Sequence, residues 1–327
     1  MSSDELIEEF LRGLGELSSQ SPERIEMLRS VVTRFVQLAE FDPDDGDLGV
    51  AARVLDELLR AANVFTPWRE RPKLTVFGSA RTSPDAPLYA MARELSRRMA
   101  ERGWITVSGA GPGIMEAAAQ GAGRENTLGV NIDLPFEQSS NPYIDADTRL
   151  VEMKYFFTRK VALTKESLAF AIFPGGLGTM DEAFEVLTLL HTGKNRPAPV
   201  ILIDTPDGTY WEQWLKFIDE AVIAGGYLSS TDLCLVSVCH SLEGAMGEID
   251  RFFANYVSFE TSDGRGYVVV RQGPTDEQLR SLGDVIAPLG IVSGFEFDGD
   301  ATLSFSFDGR NFVNLRRLID EVNRWVA

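Results

Sequence analysis

The chain has 327 residues, 44% hydrophobic and 24% charged, ordinary proportions for a globular protein with one large core plus appendages, or two domains. Its net charge of −18 argues against nucleic acid or an anionic membrane as partner, because either needs a dense cationic surface to displace counterions. The first residues, Met1-Ser2-Ser3-Asp4-Glu5, are acidic where a targeting peptide would be basic, and no apolar run approaches the ~18 residues that span a bilayer, so a cytoplasmic location is expected.

Residues 4 to 63 read as helices. Leu6, Ile7, Phe10, Leu11 and Leu14 recur at helical spacing, as do Ile25, Leu28, Val32, Phe35 and Val36 after the Ser21-Pro22 start signal. A third stripe, Leu48, Ala51, Val54, Leu55 and Leu58, follows the turn Asp42-Pro43-Asp44-Asp45-Gly46. These stripes are packing surfaces, and the predicted boundaries are a helical extension over 1–65 and a linker from Thr66 to Pro72.

From residue 73 the texture alternates. Short apolar runs at Leu74–Phe77, Trp104–Val107, Leu128–Ile132, 168–173, Val200–Ile203 and Leu233–Val238 read as strands, with amphipathic stretches such as Leu88–Arg102 between several of them. Such alternation marks a parallel sheet covered on both faces, an α/β, Rossmann-like doubly wound fold over 73–256. The only cysteines, Cys234 and Cys239, share the last run and read as buried thiols of a core strand. With His191 and His240 the only histidines, no metal site is expected. After the predicted joint Asp263-Gly264-Arg265-Gly266 come a strand (Tyr267–Arg271), a helix (Thr275–Ala287), two strands (Ser293–Phe297 and Thr302–Phe307) and a last helix (Phe312–Val326), a small α+β module over 264–327.

Two glycine loops fall at strand ends. The run Leu168-Ala-Phe-Ala-Ile-Phe173 passes through Pro174 into Gly175, Gly176, Gly178 and Thr179; the strand ending at Val107 passes into Gly109, Gly111 and Gly113, then Met115 and Glu116. Glycines there allow positive φ and close approach of backbone N–H groups to a ligand, and a helix beginning near Thr179 adds unpaired donors and the positive end of a dipole. A phosphate is the natural occupant. Glu182 has two readings: a site carboxylate, or the partner of Thr179 in a capping box. Spacing leaves both open. A dinucleotide site is disfavoured, since the third glycine of G-x-G-x-x-G would fall at Ile114, and neither a G-x-x-x-x-G-K-[ST] loop nor a G-x-S-x-G elbow is present.

Pro174-Gly-Gly-Leu-Gly-Thr-Met-Asp-Glu182 resembles the P-G-G-x-G-T-x-x-E signature of the Lonely Guy (LOG) family, phosphoribohydrolases of cytokinin riboside 5′-monophosphates and related bacterial nucleotide nucleosidases. Phe77-Gly-Ser-Ala80, Gly109–Ala117, Leu134-Pro-Phe-Glu-Gln138, Asn141-Pro-Tyr143 and Phe156-Phe-Thr-Arg-Lys160 extend the likeness over roughly residues 73 to 250. The resemblance implies Arg159 and Glu182 as a catalytic pair and the loop of Gly175, Gly176, Gly178 and Thr179 as the holder of a 5′-phosphate. Ser79, Gly109, Gly111, Gly113, Met115 and Glu116 are further candidates for the same crevice, although Glu116 also suits the first turn of its helix on dipole grounds alone.

An AMP-like nucleoside monophosphate would then be hydrolysed to free base and ribose 5-phosphate without a cofactor, by a homo-oligomer. Close to a helix N-terminus, Glu182 is expected to be ionised. His191 stands where many relatives carry glutamine, and the flanking helices and C-terminal module lie outside the compact plant pattern. A non-hydrolytic carrier of a phosphorylated ligand is the alternative on this scaffold. The lysine decarboxylase label that the motif attracts has no assembled pyridoxal signature behind it, and Lys160 and Lys165 read as helix-face residues.

Overall fold

The computed structural model describes residues 3–17, 21–41, 44–134, 140–144, 148–286, 295–298 and 301–326. The chain divides into two compact units, Met1–Leu59 and Arg60–Ala327. The first holds α1 (Ser3–Leu17), α2 (Pro22–Glu40) and most of α3 (Asp45–Phe65). Helix α2 starts where the sequence signals it: the Ser21 hydroxyl accepts from the Arg24 N–H, with Pro22 in the first turn. Ile7 and Leu11 of α1 are buried, and Arg29 of α2 pairs with Glu8 of α1. In the predicted turn before α3, Asp42 and Pro43 lie outside the described residues.

The second unit is built on a seven-stranded parallel sheet. Its elements run β1 (Lys73–Phe77), α4 (Pro87–Glu101), β2 (Ile105–Ser108), α5 (Ile114–Ala122), β3 (Thr127–Ile132), β4 (Leu150–Met153), α6 (Phe156–Lys165), β5 (Ala169–Ile172), α7 (Leu177–His191), β6 (Val200–Ile203), α8 (Tyr210–Phe217), β7 (Val236–Cys239) and α9 (Leu242–Phe252). The strand order is β4-β3-β2-β1-β5-β6-β7, every pairing parallel.

Successive side chains leave a strand on opposite faces. Phe170 and Ile172 therefore join Phe77, Val107, Val130 and Leu202 in one core, and Ala169 and Ala171 join Leu74, Val76, Ile201 and Ile203 in the other. Burial on both faces is why these strands read as unbroken apolar runs, and each fully buried Leu, Ile or Phe stabilises the fold by about 1.5–3 kcal/mol.

The chain steps outward from β1 to β4, then crosses back to lay β5 on the other side of β1. Loops after β1 and β5 therefore part in opposite directions, and the crevice between them at the carboxyl ends is where such sheets take ligands.

A four-stranded antiparallel sheet follows, in order β10-β11-β9-β8, formed by β8 (Tyr256–Ser262), β9 (Arg265–Val270), β10 (Glu296–Phe297) and β11 (Thr302–Ser306), with α10 (Asp276–Ile286) and α11 (Phe312–Asn323). The flexible joint predicted at residues 263–266 is instead the hairpin turn between β8 and β9: Asp263 and Gly264 take φ of 52° and 73°, the left-handed pair that a two-residue turn needs. Sequence reading missed β8 because its far end, Glu260-Thr261-Ser262, is polar and exposed. Ala287 of the predicted helix and Ser293 and Gly294 of the predicted strand lie outside the described residues.

A second correction concerns the cysteines. Leu233, Cys234 and Leu235 belong to a 3-10 turn (Ser230–Leu235), so Cys234 precedes the strand and only Cys239 lies on it. Both are free thiols, half-buried and not fully buried as expected, and burial pushes Cys234 up to about 11, which leaves it protonated at neutral pH.

Candidate active site

Three strand-end loops are stitched together at the switch point. The Phe173 N–H donates to the Phe77 carbonyl at 2.9 Å, the Ser79 N–H to the Pro174 carbonyl at 3.1 Å, and the Ile114 N–H to the Ser79 carbonyl at 3.1 Å. Gly113, at φ 67°, makes the last approach possible, since a Cβ there would overlap the backbone of Ser79 and Ala80.

Helix α7 begins at Leu177, two residues ahead of the predicted start, with Gly176 at the N-cap and no side chain capping it. The N–H groups of its first turn, Leu177, Gly178 and Thr179, have no partner within the helix. None of Gly175, Gly176 and Gly178 has a positive φ, which corrects the expectation for this loop. Gly175 is needed for packing, because a Cβ would overlap the Thr179 side chain. At Gly176 and Gly178 a Cβ would meet nothing within 4 Å, so the space beside them is left open to the cleft.

The earlier helix start also removes the capping box. Thr179 is buried inside the first turn, and Glu182, 4% exposed, directs Oε1 to Arg159 Nη1 at 3.3 Å. Arg159, from the first turn of α6, donates through Nε to the Val130 carbonyl at 2.9 Å. Its guanidinium lies over Gly109, where a Cβ would overlap Nη2, and Met115 fills the place a side chain on Gly111 would take. Among the described residues Glu182 Oε2 is buried and has no hydrogen-bond partner.

Burial pushes the Glu182 carboxyl above the ordinary carboxylate range, with Arg159 and Lys160 pulling the other way. Burial likewise lowers Arg159, opposed by Glu182. Burial thus opposes the ionisation expected from the helix N-terminus, because Glu182 lies a turn inside α7 and is almost fully buried. Lys160 is spoken for: its Nζ bonds Asp181 at 2.9 Å and Glu185 at 3.1 Å, tying α6 to α7.

The cleft encloses about 820 Å³. Of the residues singled out from sequence, Ser79, Gly109, Gly111, Met115, Arg159, Gly176, Gly178, Thr179 and Glu182 line it; Gly175, Gly113 and Glu116 do not. Gly175 and Gly113 shape the loops behind the wall, and Glu116 is half-buried in the first turn of α5. Arg81, Asn131, Phe156, Leu177 and Asp181 also line the cleft and were missed. Asn131 had a signal, the one amide within the apolar run of β3.

A family profile described as "Possible lysine decarboxylase" matches residues 114–249. A cytokinin riboside 5′-monophosphate phosphoribohydrolase of Rhodococcoides fascians is 35% identical over 91 residues, 28% of this chain, which spans 44% of that relative's length. The probable cytokinin riboside 5′-monophosphate phosphoribohydrolase LOGL3 of Oryza sativa subsp. japonica is 32% identical over 151 residues, 45% of this chain and 68% of the relative. The chain belongs to the LOG family.

A solved molybdenum cofactor carrier protein from Chlamydomonas reinhardtii is 22% identical to this LOG-family chain, covering 56% of it and 98% of the carrier, with a TM-score of 0.37 too low to bear on function. The decarboxylase wording of the profile does not fit the site. Among the described residues no lysine lines the cleft, so nothing there could hold pyridoxal as a Schiff base. Among the described residues no helix is long and apolar enough to cross a membrane.

Proposed function

We propose that this LOG-family chain hydrolyses the N-glycosidic bond of nucleoside 5′-monophosphates, with an AMP-like substrate. The observation that carries the proposal is the buried Arg159–Glu182 pair with one carboxylate oxygen unpartnered, in the same cleft as the uncapped first turn of α7. A 5′-phosphate bonded to the N–H groups of Leu177, Gly178 and Thr179 satisfies that helix end and leaves the sugar beside Glu182.

As the C1′–N bond breaks, its electron pair leaves with the base and positive charge builds on the sugar. The Glu182 carboxylate stabilises that charge and accepts the proton of the attacking water, whose oxygen bonds to C1′; the departing base takes a proton from solvent water, and Glu182 returns its own to solvent as the site reopens. Arg159 keeps its proton and holds Glu182 in place, its Nε fixed by the Val130 carbonyl. The homo-oligomer expected from sequence is supported by Phe156, Phe157 and Val161, exposed apolar residues of α6 beside the cleft.

The test is a panel of nucleoside monophosphates assayed for free base and ribose 5-phosphate. Release is expected from at least one of them, falling on the order of a hundredfold or more in Glu182→Gln. Tight nucleotide binding with no release from any member of the panel would point to the carrier alternative.

A further inference from the structure

The loop after β6, outside the cleft wall, is built as a mount for one hydroxyl. Asp204 is 4% exposed, and its two carboxylate oxygens accept from the Thr205 N–H at 2.8 Å and the Tyr210 N–H at 3.0 Å. Gly208 makes room for that carboxylate, which a Cβ there would overlap. Trp211, which follows Tyr210 in the chain, is fully buried, donates its indole N–H to the Ile203 carbonyl at 3.1 Å and packs edge-on against the Tyr210 ring at 4.8 Å. With backbone and ring both held, Tyr210 donates its hydroxyl to the Gly175 carbonyl at 2.6 Å, across 35 residues of sequence.

A planar trans peptide points its N–H opposite to its C=O. The bond that ties down the Gly175 carbonyl therefore also sets the direction of the Gly176 N–H. Among the described residues that N–H has no acceptor, and Gly176 lines the cleft.

We infer that Tyr210 is a positioning residue: through the Gly175 carbonyl it aims the Gly176 N–H at the substrate phosphate. The inference rests on the proposed phosphate-binding role of this loop. Tyr210 does not line the cleft, so the effect passes through the peptide unit alone.

The experiment is Tyr210→Phe, which keeps the ring and removes the hydroxyl, with Tyr210→Leu as a packing control. The expected result is a KM for AMP, and a Kd for ribose 5-phosphate by calorimetry, each raised roughly three- to tenfold, the range for losing one neutral hydrogen bond. The kcat stays within about twofold and adenosine binding is unchanged, because the aimed donor meets only the phosphate. The Leu variant shows at least the same phosphate defect. A defect confined to Tyr210→Leu, or one equal for adenosine and ribose 5-phosphate, would overturn the inference by making Tyr210 a packing residue only. Wild-type protein that binds ribose 5-phosphate but releases no base overturns the hydrolase proposal alone, since the titration still reads Tyr210. Wild-type protein that binds no ribose 5-phosphate overturns both.

Discussion

Glu182 is a carboxyl group taken almost wholly out of water. One oxygen meets Arg159; the other is buried without a hydrogen bond among the described residues. A carboxylate so placed costs free energy that protonation relieves, so its folded pKa lies above the ordinary 4.5. Whatever this carboxyl adds to stability is present below the unfolded value and is lost as pH rises through the raised folded value, so at neutral pH its ionised form is a cost to the fold. Hydrolysis runs the other way, since it uses the ionised form. The kcat/KM for AMP should therefore fall with decreasing pH around an apparent pKa above 4.5. The substrate's phosphate also ionises, near pH 6, so Glu182→Gln separates the two contributions. The limb that disappears in that variant belongs to the carboxylate, and a profile of unchanged shape would remove Glu182 from the base role.

Among the elements, legibility from sequence tracked burial. β1, β3, β5 and β6 lie inside the sheet with both faces covered, and their apolar runs mark them to within a residue or two. β4 was missed because it is a four-residue edge strand whose Glu152 is exposed, too short for a period to emerge. The start of α7 was misread for a related reason: Leu177, 91% exposed, carries no core signal that would extend the helix back into the glycine loop. What glycines are for was the least legible property, because a missing side chain serves a turn, a neighbour or a ligand with the same letter.

The structure separates these uses, and two substitutions should behave oppositely. Gly121 of α5 lies against α4, where a Cβ would overlap the Arg93 carbonyl. Gly121→Ala should lose about 1–3 kcal/mol in denaturant unfolding, with activity per folded molecule unchanged. Gly176 has an ordinary φ of −90° and open space beside it, so Gly176→Ala should melt within about 2 °C of wild type, the N-cap preference of glycine over alanine being offset by the lower entropy of the unfolded chain, each worth about 0.5–1 kcal/mol. Its KM for AMP should rise roughly tenfold or more, as a methyl group occupies the phosphate's approach. A Gly176→Ala protein with unaltered KM would mean that the phosphate binds elsewhere.

For the whole molecule the governing quantity is the net charge of −18, which sets a doubly negative substrate against a repelling body. Among the described residues two cations line the cleft, and they differ. Arg159 is committed to Glu182 and Val130, whereas Arg81 is exposed and makes no ion pair or side-chain hydrogen bond among the described residues. Local attraction by Arg81 acts over a few ångströms, within which salt screens little; repulsion by the rest of the chain acts over distances that 0.15 M salt cuts off, the Debye length there being about 8 Å. Adding salt should therefore remove more repulsion than attraction. The kcat/KM for AMP is expected to rise severalfold between roughly 10 mM and 150 mM NaCl, while adenosine, which is uncharged, should show no such trend. Arg81→Gln should lower kcat/KM for AMP at every salt concentration and steepen the rise, because it leaves the repulsion unopposed. A kcat/KM that falls with salt in wild type would mean that cations at the cleft mouth dominate the approach, and that the acidic surface plays no part in substrate capture.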